Sequence, residues 1–178
     1  HHLCLIVHPG IPGDRGPSAL DRAILDDEPR WGVTVLEATG EMDAGPLWAW
    51  REFPMRAARK GSLYRFEVTE AATEAVLEAV ARYSDPDFRP IPQERGNPLF
   101  RGRWRDAVTQ AERRIDWDED GTETALRKLR SADGQPGVDD ELLGVPCRLF
   151  DAHPEGRLRG APGTLIARRG PAVCRATR

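Results

Sequence analysis

Leu3-Cys4-Leu5-Ile6-Val7-His8-Pro9-Gly10-Ile11-Pro12-Gly13-Asp14-Arg15-Gly16-Pro17 is the stretch whose reading decides the fold. From Leu3 to Val7 it is apolar without a break, as expected for the central strand of a parallel sheet covered on both faces. From His8 to Pro17 it holds three prolines and three glycines, so that part forms neither helix nor strand. The start, His1 to Val7, has no basic region and no small-residue cleavage site, so a secretory leader is not expected there.

Downstream, Ser18 and Asp21 have the spacing of a capping box for a helix from Ala19 to Leu25. Trp31 to Leu36 is β-prone, and Pro46 to Trp50 reads as a third strand after the polar loop Glu41-Met42-Asp43-Ala44-Gly45. The first strand needs neighbours on both sides, so several βα units are expected before residue 1. Residues 1–94 are therefore expected to be the C-terminal half of a doubly wound α/β domain.

A helix opens at Ser62, with Leu63, Phe66, Ala72, Val76, Ala79, Val80 and Tyr83 spaced to form its core face. Between Ser84 and Asp106, Pro86, Pro90, Pro92, Gly96 and Pro98 break every periodicity, so an extended linker and a boundary near residue 95 are expected. Residues 95–178 read as a second, small domain. A helix spans Thr122 to Ala132, followed by short β-runs at Val145–Phe150, Gly163–Arg168 and Pro171–Ala176. Short strands with Gly/Pro turns suggest a small OB-like barrel or open sheet.

The 178 residues are 39% hydrophobic with a net charge of −3, so a core can form. No apolar run reaches the ~18 residues a membrane span requires. Residues 1–100 carry 11 basic and 16 acidic side chains, and residues 101–178 carry 15 and 13. That balance falls short of a nucleic-acid-binding footprint. Cys4, Cys147 and Cys174 form no CxxC pair, so no metal site is indicated; each is expected to be a small buried hydrophobe. A cytoplasmic location is the expected one.

His8 follows the first strand, where open α/β sheets place their sites. Asp43 follows the second. Adjacent parallel strand ends lie ~5 Å apart, close enough for a carboxylate to fix an imidazole tautomer and make a general base. The same residues also fit a structural histidine and a turn-forming aspartate. Arg15 suits a phosphate or carboxylate, or a loop anchor. Trp48 and Trp50 fit either stacking on a flat heterocycle or packing.

His8 to Pro17 resembles the histidine loop of the formyltransferases, which usually reads Asn-x-His-Pro-Ser-Leu-Leu-Pro, an aromatic, a basic residue and Gly. Trp31-Gly32-Val33-Thr34 resembles the family's Gly-Val-Thr strand, and Asp43-Ala44-Gly45 its Asp-x-Gly loop. Ile115-Asp116-Trp117, Leu129-Arg130, Gln135-Pro136-Gly137, Leu149-Phe150 and Ala161-Pro162-Gly163 are similar to its C-terminal domain. The form of the first loop, with Glu41 to Pro46, is most similar to the hydrogenase-maturation branch.

The resemblance implies a Rossmann-like catalytic domain, here its C-terminal half, followed by an OB-like domain. It implies 10-formyltetrahydrofolate as donor, His8 and Asp43 as catalytic residues, and Arg15, Gly16 and Ile6 in the substrate site. Partners implied are a small-molecule donor, coenzyme A as acceptor and the preceding half of the same domain, with neither membrane nor nucleic acid. Three departures stand out. Ile6 occupies the position of the family's catalytic Asn, Arg22 stands where a Trp is common, and the histidine loop is one residue short. Losing such an oxyanion donor costs ~10²–10³ in rate. A thiol acceptor, with a pKa of ~8.5, is partly ionised at neutral pH and asks less of the site than an amine. A methionyl-tRNA formyltransferase is the alternative within the family; a non-catalytic folate- or partner-binding module is the alternative outside it.

Overall fold

The computed structural model describes residues 3–178, so His1 and His2 of the opening run lie outside the described residues. The elements in order are β1 (Leu5–His8), α1 (Ala19–Leu25), β2 (Arg30–Glu37), β3 (Leu47–Pro54) and α2 (Lys60–Leu63). A π-helical turn (Tyr64–Val68), α3 (Thr69–Tyr83), α4 (Gln110–Arg113) and α5 (Thr122–Ala132) follow. The last four are β4 (Val138–Leu142), β5 (Val145–Leu149), β6 (Leu165–Arg169) and β7 (Ala172–Arg175). Two compact units divide between Ala107 and Val108.

In the first unit β1, β2 and β3 form one sheet in that order. Both ladders are antiparallel, which corrects the parallel arrangement expected from the apolar opening run. A parallel crossover needs a connection that returns the chain to the starting end of the strand. Here irregular residues 9–18 take up half the connection and α1 has only seven residues, about 10 Å of helix. The β2–β3 connection, residues 38–46, is shorter still. Nor is β1 covered throughout: Val7 is 48% exposed.

Alternation along the strands gives the sheet two distinct faces. On one, Trp31, Val33 and Phe53 pack with Leu20, Ala23 and Ile24 of α1 and with Leu63, Val68 and Ala71. Val35, Trp48 and Ala49 pack with Ala75 and Ala79 of α3. Full burial of a side chain such as Leu20 contributes about 1.5–3 kcal/mol. The opposite face carries His8 and its cross-strand neighbour Thr34, which in turn faces Trp50.

The helix after residue 60 buries a different stripe from the one its apolar spacing predicts. Leu63, Val68, Ala71, Ala75 and Ala79 are buried, whereas Phe66, Val76, Val80 and Tyr83 are exposed. The π-helical turn rotates the following residues relative to a regular helix, and small alanines let α3 lie close to the strands. Ser18 does not cap α1 with its side chain; Asp21 pairs with Lys60 at 3.1 Å. Trp48 packs against Phe88 in a tilted arrangement, ring centroids 5.3 Å apart, so its role is packing. Cys4 is exposed and Cys147 and Cys174 are half-buried, contrary to the expectation of buried cysteines.

Residues 84–107 contain no helix or named strand, but they are more than a linker. Ile91 pairs with Leu47 through two backbone hydrogen bonds, Gly102 N–H donates to the Pro12 carbonyl, and Arg105 N–H donates to that of Arg15. These bonds hold the segment in the first unit, so the compact division falls downstream of the boundary expected near residue 95.

In the second unit α5 buries Ala125, Leu126, Leu129 and Ala132, packing with Ile115 and Val138. Its strands form two separate antiparallel hairpins, β4–β5 and β6–β7. Strand β4, Val-Asp-Asp-Glu-Leu, has too little β-propensity to be found by composition. Among the described residues no helix is long and apolar enough to cross a membrane.

Candidate active site

His8 ends β1 and is 5% exposed. Its imidazole lies between two carboxylates. Nε2 is 3.0 Å from Asp14 Oδ2, a hydrogen bond, and Nδ1 is 3.4 Å from Asp43 Oδ2. The expected pairing of His8 with Asp43 is therefore present as proximity, although not through parallel strand ends. The 38–46 loop instead folds back toward His8 from the far end of β2. Asp43 takes the left-handed conformation, φ 53°, which an aspartate tolerates. Gln93 secures this loop by donating to the carbonyls of Asp43 (2.9 Å) and Gly45 (2.8 Å).

Asp14, missed in the sequence, is the most deeply buried acid of the cluster at 1% exposure. Its Oδ1 accepts from Arg105 Nη2 at 2.7 Å and from Nε at 3.2 Å. Arg105 also donates to Asp26 Oδ2 at 3.0 Å and lies 5.0 Å over the Trp31 ring. Trp31 in turn donates its indole N–H to the Pro9 carbonyl at 2.8 Å, holding the histidine loop on β2. The burial of Asp14 is thus matched by a well-placed cation. Only the sequence separation from Arg105 hid this pair; an aspartate in a Gly-rich loop otherwise reads as a turn former.

Gly16 donates its backbone N–H to Asp43 Oδ2 at 3.0 Å, so it braces the second carboxylate. Arg15 pairs with Glu41 at 2.7 Å. Ile6 is half-buried, two residues before His8 and hence on the same face of β1, opposite Leu36. Its side chain offers no hydrogen bond. The neighbouring Thr34 hydroxyl is buried and has no hydrogen-bond partner among the described residues, so this face does hold one uncommitted donor. Arg22 donates to the Asp106 carbonyl at 3.0 Å.

A shallow depression of about 460 Å³ lies elsewhere, lined by Arg30, Trp50, Arg51, Glu52 and Glu78. Arg51 is paired there with Glu74 and Glu78, whose hydrogen bonds push its guanidinium pKa up. Such mutual pairing leaves little chemistry free, so the His8 cluster is the stronger candidate. Among the described residues no group of three His, Cys, Asp or Glu side chains is placed to hold a metal ion.

An imidazole ending a strand between two carboxylates, with an adjacent free hydroxyl, can hold and pass a proton at a reacting carbonyl. Proteins of known name resemble this chain in sequence and structure. HoxX, a hydrogenase maturation factor of Bradyrhizobium diazoefficiens, is 54% identical over 98% of this chain and 30% of its own length. HypX from Aquifex aeolicus, solved in complex with tetrahydrofolic acid, superposes with a TM-score of 0.91. It is 50% identical over 99% of this chain and 30% of its own. Methionyl-tRNA formyltransferase of Roseiflexus castenholzii is 30% identical over 90% of this chain and 50% of its own length. No family model matches. The chain is homologous to the formyltransferases. More narrowly it is similar to a segment of HypX and HoxX, and it spans 30% of the length of those two relatives.

Proposed function

We propose that the protein containing this chain transfers a formyl group from 10-formyltetrahydrofolate to the thiol of coenzyme A. The formyl-CoA formed would supply the carbon monoxide ligand of NiFe-hydrogenases. The likeness to HoxX and to the tetrahydrofolate-bound HypX carries the donor and the setting. The observation that carries the acceptor is Ile6, which leaves His8 without the neighbouring amide that the family's amine-formylating members use.

In this reading the thiolate sulfur attacks the formyl carbon, and a C–S bond forms as the oxygen gains charge. The C–N10 bond then breaks, and N10 receives the proton that left the thiol. His8 is the catalytic residue that holds this proton, and Asp43 is the second, on the Nδ1 side of the ring. The Thr34 hydroxyl and loop backbone N–H groups replace the missing amide in stabilising the oxyanion. Gly16 braces Asp43, and Arg15, on release from Glu41, meets an anionic part of donor or acceptor. The C-terminal half of a Rossmann-like domain, ending at Ala107, and an OB-like domain from Val108 complete the reading. The rest of the catalytic domain would come from the preceding half of the same domain.

An acceptor screen with the full-length protein tests this directly. Formyl transfer to coenzyme A and to small thiols, with none to amines or to methionyl-tRNA, is expected. Transfer to amines alone would overturn the thiol assignment.

A further inference from the structure

We propose that Asp14, clamped by Arg105, is the residue that positions His8, leaving Asp43 to face the reacting groups. The inference rests on the formyl-transfer reading above and assigns the two carboxylates different tasks within it.

Three observations separate Asp14 from Asp43. The His8 contact with Asp14 is a hydrogen bond of 3.0 Å, whereas that with Asp43 is 3.4 Å. Asp14 is held from its other oxygen by two nitrogens of Arg105, itself fixed by Asp26 and the Trp31 ring. Asp43 shares the oxygen nearest His8 with the Gly16 N–H. A carboxylate held at both oxygens sets the ring's orientation; the longer, 3.4 Å contact is the one that can be exchanged for a substrate. An imidazole engaged at both nitrogens cannot meet substrate until one contact opens, and the longer one opens first.

Gly10 independently fits this assignment. A Cβ built there would stand 2.4 Å from His8 Nε2 and 2.7 Å from Asp14 Oδ2, well inside contact distance. The backbone of the histidine loop is thus shaped around the His8–Asp14 pair, and only glycine leaves it room.

The tautomer follows. With Asp14 accepting from Nε2–H, neutral His8 presents its lone pair at Nδ1, on the side where Asp43 lies. In an Asp14→Asn variant Arg105 retains the amide oxygen, so the amide N–H₂ faces Nε2 and imposes the other tautomer. A wrong tautomer of this kind costs about 10⁴ in kcat in the serine-protease triad.

The test uses the full-length protein, with 10-formyltetrahydrofolate as donor and coenzyme A as acceptor. Asp14→Asn is expected to lower kcat at least ~10²-fold, with the donor KM changed less than about 3-fold and tetrahydrofolate binding and Tm retained. Selective ¹⁵N-histidine spectra are expected to show the His8 proton moving from Nε2 to Nδ1. Arg105→Lys, which keeps the cation and loosens the clamp, is expected to fall between wild type and Asp14→Asn in kcat. An unchanged kcat overturns the proposal. So does a loss that tracks tetrahydrofolate affinity and Tm in both variants, since that is a purely structural ion pair. Wild-type protein that transfers no formyl group to any acceptor would instead remove the reading beneath it.

Discussion

Gly10 stands against His8 so closely that a methyl group at its Cα would lie 2.4 Å from the imidazole Nε2. The relationship ties a backbone position to the chemistry of the ring. Gly10→Ala must push His8 off Asp14 or displace the loop. Its expected signature is a kcat loss of about 10²-fold or more with the fold retained, measured by steady-state kinetics beside circular dichroism.

Thr34 lies across the β1–β2 ladder from His8, and its buried hydroxyl has no partner among the described residues. If that hydroxyl meets the developing oxyanion, Thr34→Val, which keeps the shape, lowers kcat by about 10²-fold and leaves Tm within a few degrees. A hydroxyl that idles in the folded protein predicts the opposite: unchanged kcat and equal or greater stability, since an unsatisfied polar group is removed.

Gly16 combines φ 114° with a backbone approach that would place a Cβ 2.1 Å from the Arg105 carbonyl oxygen. Gly16→Ala therefore strains the backbone and displaces residues 103–105 together. A stability loss of about 3 kcal/mol or more is expected in denaturant titration, with the Asp14–Arg105 clamp loosened at the same time.

Glu67 provides a pH-dependent contribution. Desolvation pushes its carboxyl up, but hydrogen bonds from Arg56 and the backbone, with the Arg56 charge, outweigh this and hold it below the usual carboxylate range. A depressed folded pKa means stability present above the unfolded value, near pH 4.5, and lost as pH falls through the folded one. Arg56 is half exposed, so the contribution is below about 1 kcal/mol. Glu67→Gln is expected to destabilise at pH 7 and to draw level with wild type as pH falls below the folded-state pKa of Glu67, read from paired thermal melts.

The sequence made the local elements of both units legible wherever periodicity or turn chemistry was strong. Helix α5 begins and ends at the expected residues, Thr122 and Ala132, and the β-runs expected at Gly163–Arg168 and Pro171–Ala176 fall on β6 and β7. It was weaker on strand direction, because an apolar run such as Leu3–Val7 records burial and not the orientation of its neighbour. The helix after residue 60 misled for a different reason: bulky apolar residues marked a face that the π-helical turn rotated outward. His8 and Asp43 could be found as residues, and their proximity holds. Asp14 with Arg105, and Gln93 with the Asp43 loop, could not, because each pair joins residues far apart in the chain. Both distant partners lie in the Pro-rich segment that composition marks as a linker, yet this segment supplies the clamp and the loop anchor.

Formyl-CoA production by the full-length protein from 10-formyltetrahydrofolate and coenzyme A, measured beside His8→Ala, tests the central claim most directly. The account predicts steady formation by wild type and a loss of at least ~10²-fold in the folded variant. Equal turnover by the two, or transfer from the folate to an amine and never to coenzyme A, would contradict it.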